Sequence, residues 1–170
     1  VEEWKQYANE QKESFVTDYI TYALANLEDI NSTSYDDLYE QYLKDQEILY
    51  GNKEYMNFFT QLYHLNFEQF VLTKNGAEVL KAIMLEENLE KTLGLISKHK
   101  GFHSKEFSEL YLLYGLFEVY HKKTVNQQNS LQMLEEISKS GQNASNQLIA
   151  RNVIQTVKGL AAVGEAPAFA

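Results

Sequence analysis

The sequence predicts an all-α fold of about seven helices, paired as antiparallel hairpins in an irregular bundle. Three observations carry that expectation. Apolar residues recur at spacings of three, four and seven over most of the chain, which is the period of an amphipathic helix. Short Asn, Gly and Ser breaks separate these runs, and the one proline in 170 residues, Pro167, lies beyond the last of them. No β-branched alternation of the strand kind occurs before Leu160. Short breaks set consecutive helices side by side and antiparallel. A repeat-like superhelix is the alternative stacking, but small and aromatic residues do not recur at a fixed period.

The first segment, Glu2 to Ile30, places Trp4, Tyr7, Ala8, Phe15, Tyr19, Tyr22, Ala23 and Leu27 on one face, with the polar run Asn9 to Ser14 inside it. Ser34 is a cap, Asp36 and Asp37 occupy a first turn where the helix dipole favours anions, and Leu38, Tyr39, Tyr42, Leu43, Leu49 and Tyr50 line the helix that follows. Gly51-Asn52 ends it. From Lys53 to Thr73 the residues Tyr55, Phe58, Phe59, Leu62, Tyr63, Leu65, Phe67, Phe70 and Val71 surround the axis, which marks a central helix closed by Asn75-Gly76. Ala77 to Lys98 turns Val79, Leu80, Ile83, Met84, Leu89, Leu93 and Ile96 inward and stops at Lys100-Gly101. Ser104 caps a second central helix reaching about Lys122, apolar through Phe107, Leu110, Tyr111, Tyr114, Phe117 and Tyr120. Asn129 to Ser140 is short, and Ser145 to about Leu160 closes the series through Leu148, Ile149, Val153 and Val157.

Composition narrows the function classes. The length suits one domain with a sizeable core, and 44% apolar with 23% charged residues is ordinary globular usage. Fifteen basic against 24 acidic residues give a formal charge of −9, a field that repels phosphate backbones and anionic lipid, so nucleic acid is not an expected partner. Arg151 is the only arginine, which leaves almost no bidentate grip for phosphate or carboxylate. The absence of cysteine removes disulfides, thiolate metal sites and thiol nucleophiles from this stretch. No run is long and apolar enough to insert in a membrane, and VEEWKQYANE has neither a signal-peptide pattern nor an initiator Met. Both ends are therefore expected to be cuts within a longer protein. Twelve tyrosines, at helical spacing, read as core and half-buried rim, with a subset available for contact surfaces.

Chemistry-bearing residue types occur without complete constellations. Glu118-Val-Tyr-His121 has the Glu-x-x-His spacing of di-iron bundles, but such sites need a second copy and two more carboxylates. His99 and His103 have ligand spacing, yet Gly101 stands between them. His64, between Tyr63 and Leu65, reads as a core histidine. Glu86, Glu87 and Glu90 read as a solvated face, with Glu87 and Lys91 a helix-supporting pair. Asn31-Ser-Thr33 and Asn143-Ala-Ser145 match the glycosylation acceptor pattern, which is frequent by chance. No catalytic residue, metal ligand or cofactor site is assigned.

The tail is more specific. Val163-Gly-Glu-Ala-Pro-Ala-Phe-Ala170 comes straight off a helical pattern, and Pro167 suits an extended segment rather than another turn. Gly164, Ala166, Pro167 and Phe169 resemble the opening Gly-x-x-Ala-Pro-x-Phe of thioredoxin-like redoxin domains, as in peroxiredoxins and TlpA-type thiol-disulfide reductases. The match departs at two points: one residue fewer separates Gly164 from Ala166, and Ala168 stands where Asp is frequent. Extracytoplasmic members of that family, notably from Bacteroidetes, often place a helical stretch before the redox domain. The resemblance implies that residues 1–160 form a helical domain and 161–170 a linker with the truncated start of a thioredoxin-like domain. It further implies a periplasmic or outer-membrane-lipoprotein-tethered parent, a redox domain in cis carrying Cys-x-x-Cys beyond Ala170, and protein partners or self-association for the helical part. A lone strand without its sheet buries little, so poor order is expected for Ala166 to Ala170.

Overall fold

Most of the apolar spacing is realised as helix in a computed structural model, which describes residues 14–27, 34–85, 88–120 and 125–163. Nine helices and no strand occur among the described residues: α1 (Ser14–Ala25), α2 (Tyr35–Tyr42), α3 (Lys53–Tyr63), α4 (Asn66–Val71), α5 (Gly76–Met84), α6 (Leu89–Lys100), α7 (Lys105–Tyr120), α8 (Gln127–Ser140) and α9 (Ala144–Val163). The all-α expectation holds. Nine replace the expected seven because two of the predicted helices are each broken in the middle. The chain divides into two compact units, Val1–His64 and Leu65–Ala170.

In the first unit α1 packs on α3 through an aromatic centre. Tyr22 lays its ring edge-on to Tyr55 with centroids 4.7 Å apart, and its hydroxyl donates to the Tyr42 carbonyl at 2.8 Å. Tyr42 in turn meets the Phe58 ring at 5.3 Å. Burial, with Asp18 adding to it, pushes the Tyr22 phenol up to about 12. At the end of α1 the Asn26 amide donates to the carbonyl and the carboxylate of Glu54, both at 3.1 Å. Ser34 caps α2 as expected, accepting from Asp37 N at 3.1 Å. This helix ends at Tyr42 rather than Tyr50, because Asp45 turns the chain through a positive φ of 56°. Asn52 begins α3 instead of ending α2, its side chain accepting from Glu54 N and Tyr55 N.

The second unit is built around α7, which packs against α4, α6, α8 and α9 and buries residues on every side, as its all-round apolar pattern predicts. The expected helix from Lys53 to Thr73 breaks at His64-Leu65. Leu65 takes φ 57°, and its freed amide donates to Glu118 Oε1 of α7 at 3.1 Å. The expected helix from Ala77 to Lys98 breaks after Met84, where Asn129 of α8 donates its side-chain amide to the carbonyls of Ile83 and Met84. Asn88 then caps α6 through Lys91 N at 2.8 Å. Gly76 starts α5 rather than closing α4. Ser104 caps α7 as expected, Asn126 caps α8, and Asn143 caps α9 by accepting from Asn146 N.

The inward assignments of five residues are corrected. Phe15, Tyr19 and Leu27 are 61%, 42% and 76% exposed: Tyr22 and Ala25 define the buried face of α1, Tyr19 lies to one side of it, Phe15 sits in its first turn and Leu27 follows its end. Met84 is exposed at the last turn of α5. Leu148 is exposed because α9 buries Asn146, Ala150 and Val157, a line on the opposite side of the helix from it.

Candidate functional site

The histidines fall at helix ends. His99 lies in the last turn of α6, where its Nε2 bonds Glu78 Oε2 at 3.0 Å, and this bond is the chief reason the Glu78 carboxyl is held below its usual range. Gly101 stops α6 with φ 71°, so His103 does not share a helix with His99, as the sequence indicates. His64 is exposed at the end of α3, which corrects its reading as a core residue: the chain turns there instead of continuing into α4. Glu118 of the Glu-x-x-His pattern spends one oxygen on the Leu65 amide and bonds Tyr114, whose phenol is pushed up by burial first and by Glu118 second. His121, Glu86, Glu87 and the Asn31-Ser-Thr33 sequon lie outside the described residues. Glu90 is exposed beside Lys105. No group of three His, Cys, Asp or Glu residues able to hold a metal ion occurs among the described residues.

Two buried polar clusters were not found by sequence reasoning. In the first, Glu109 of α7 is fully buried, and both its oxygens accept from Gln142 N, at 3.0 and 3.2 Å. Asn146 of α9 also bonds this carboxylate. Burial raises the Glu109 pKa above the usual carboxylate range, and the bonds from Asn146 and Gln142 only partly oppose that. One turn earlier, the Glu106 side chain accepts from the Asn143 amide, and its carbonyl accepts from Asn146 Nδ2 at 3.2 Å. Gly141 is required at this corner, since a Cβ there would lie 2.8 Å from Glu109 Oε1 and 2.7 Å from the Ile137 carbonyl oxygen. The amide of Asn143, the acceptor of the second sequon, is thus committed to the corner. A lone Glu inside the apolar run Phe107 to Leu116 is the signal that could have marked this cluster.

In the second cluster, Asn66 Oδ1 accepts from Tyr111 Oη at 2.8 Å and from Lys100 Nζ at 3.1 Å. The ammonium lies 5.6 Å from the Phe70 and Tyr111 ring centres and 6.0 Å from that of Phe102. Burial pushes the Tyr111 phenol up. Each cluster ties three segments together: Glu109 joins α7 to the α8–α9 turn and α9, and Asn66 joins α4 to α6 and α7.

Neither cluster borders either of two shallow hollows. The larger, about 270 Å³, lies along α1 between Tyr19, Ile20, Ala23, Leu24 and Leu27, and is wholly apolar. The other, about 210 Å³, lies on the α5–α6 pair between Glu78, Lys81, Ala82, Lys91 and Leu95. No helix among the described residues is long and apolar enough to cross a membrane. Helix α9 runs past Leu160 to Val163, directly before the tail. Gly164, Ala166, Pro167 and Phe169 lie outside the described residues, as does the order expected of Ala166 to Ala170. Comparison with family models, with curated proteins and with solved structures finds no match.

Proposed function

We propose that this chain is the non-catalytic helical domain that precedes the redox domain of an extracytoplasmic thiol-disulfide oxidoreductase of the TlpA or redoxin type. The observation that carries the reading is Gly164-Glu-Ala-Pro-Ala-Phe169, which follows directly on α9 at Val163. Pro167 lacks the amide hydrogen a further helical turn would use and fixes φ in a range suited to a first strand. On this reading the redox domain is tethered in cis after α9, its Cys-x-x-Cys lies beyond Ala170, and the parent is periplasmic or tethered as an outer-membrane lipoprotein. The helical domain positions protein partners or associates with itself. The buried clusters at Glu109 and Asn66 support a scaffold role, since their polar atoms bond across the packing between helices.

The test is a thiol-reductase assay on the parent with and without residues 1–160, together with its partner range and oligomeric state. Removal is expected to change reduction of protein substrates or the oligomeric state while leaving reduction of a small disulfide intact. No change in any of these overturns the proposal, as does a coding sequence with no Cys-x-x-Cys downstream of Ala170. A freestanding helical interaction module is the second reading, favoured by the exposed apolar residues Phe15 and Tyr19 of α1 and Leu27 just after it. The same downstream sequence distinguishes the two.

A further inference from the structure

We propose that Asn75 is a site of spontaneous deamidation, and that the corner between α4 and α5 keeps the reaction closed while the fold is intact. Asn75-Gly76 is the one Asn-Gly pair in the chain. Glycine has no side chain to shield its backbone nitrogen or restrict its backbone, so in a flexible segment that nitrogen reaches the preceding side-chain amide. A bond forms between Gly76 N and Asn75 Cγ, and the Cγ–Nδ2 bond breaks. Nδ2 leaves as ammonia, carrying the former Gly76 amide proton. Water then opens the five-membered imide at either carbonyl and leaves an aspartyl or an isoaspartyl residue. Water is the only co-reactant.

Asn75 is exposed, so solvent reaches its amide. Its backbone, however, is helical, with φ −72° and ψ −42°, and closing the imide ring requires ψ to rotate well out of that range. The Gly76 N–H also donates to Thr73 Oγ1 at 3.0 Å, a bond the nitrogen must give up before it can lose its proton and attack. Thr73 is itself fixed, since its hydroxyl donates to the Phe70 carbonyl at 2.7 Å and its own carbonyl accepts from Ala77 N at 2.9 Å. Nor can the corner replace its glycine. A Cβ on Gly76 would lie 1.9 Å from the Phe70 carbonyl oxygen and 2.8 Å from Val71 Cα. The packing of α5 on α4 therefore demands the residue that makes Asn75 labile, and the same packing suppresses the reaction.

The two products differ in consequence. An aspartyl residue places a negative charge at the N-terminus of α5, where the helix dipole favours it. An isoaspartyl linkage lengthens the backbone by one methylene between residues 75 and 76, where the backbone of Phe70 and Val71 leaves no room. The isoaspartyl form is expected to unpack this corner.

The experiment incubates the full chain in mildly alkaline buffer, native and in denaturant, and follows the peptide that begins at Asn75 by mass spectrometry with chromatographic separation of the isoaspartyl form. Conversion is expected to be about tenfold or more slower in the native chain, the ratio being set by how often the corner opens. Thr73→Ala, which removes the hydroxyl, is expected to convert several-fold faster than wild type while still folded, and Thr73→Ser to restore the wild-type rate. The isolated isoaspartyl chain is expected to melt below Asn75→Asp, which carries the charge without the extra methylene. Equal rates in native and denatured wild-type chain overturn the proposal without reliance on any variant. So does a folded Thr73→Ala chain that converts no faster than wild type, or an absence of conversion in denaturant.

Discussion

At the scale of single residues, the fold imposes an uncomfortable state on Leu65 and on Glu109. Leu65 holds φ 57° and ψ −1°, a left-handed conformation in which Cβ crowds the following carbonyl at a cost of about 1–2 kcal/mol. It is offset by the bond from the Leu65 amide to Glu118. Leu65→Asn, whose side chain tolerates this region, is expected to stabilise the chain by about 0.5–1 kcal/mol in denaturant unfolding, and Leu65→Ala to give no such gain because it keeps Cβ. Glu109 is uncomfortable electrostatically. Its folded pKa is raised, so its contribution to stability is fully present below the unfolded carboxyl value and is lost as pH rises through the folded one. Glu109→Gln removes the titration. The stability of wild type relative to this variant is expected to fall from acid toward neutral pH, measured as the difference between unfolding midpoints, and a difference that grows with pH would contradict the assignment. Glu109→Ala leaves the buried Asn146 side chain and the Gln142 amide without their acceptor and is expected to cost about 1–3 kcal/mol.

At the scale of elements, α4 and α7 cross closely. A Cβ added at Gly115 would lie 2.1 Å from Phe67 Cγ, and that ring is wholly buried between α4 and α7, with Tyr111 5.5 Å away centre to centre. Gly115→Ala is expected to destabilise by about 1–3 kcal/mol through overpacking, read from thermal or denaturant unfolding. Paired with Phe67→Leu, the double variant should lose less than the sum of the two single losses, because each change makes room for the other. Helices and their starts are the legible part of this fold. Ser34 and Ser104 announce themselves as caps, and the all-round apolar run from Phe107 to Tyr120 marks α7 as central, because local spacing and cap chemistry decide both. The interruptions at His64-Leu65 and after Met84 are not legible, since the Glu118 carboxylate that accepts from the freed Leu65 amide and the Asn129 amide that donates to the freed carbonyls come from sequence-distant helices. The same reason hides the Glu109 and Asn66 clusters. A polar residue within an apolar run signals that a partner exists without saying which one, and Gln142 and Lys100 become partners only through packing.

At the scale of the whole molecule, charge is the property least balanced. A net −9 on 170 residues raises the energy of the compact state by self-repulsion, which an unfolded chain relieves by separating its charges. Opposing this are ion pairs such as Lys44 with Glu40 and Lys158 with Glu135, which lie at the surface. Exposed pairs of this kind contribute about 0–1 kcal/mol each and weaken in salt. The two effects respond to salt with opposite sign, so the direction of the salt dependence decides which is larger. Long-range repulsion among excess carboxylates extends over a Debye length of about 30 Å at very low ionic strength and about 8 Å at physiological strength, so modest salt removes most of it. The buried carboxylate of Glu109 is shielded from that screening by the packing around it. Raising sodium chloride from very low to physiological strength is therefore expected to increase the melting temperature, with most of the gain at the low end of the titration. A flat or falling melting temperature over that range would mean that the surface pairs, rather than the excess negative charge, dominate the electrostatics of the folded chain.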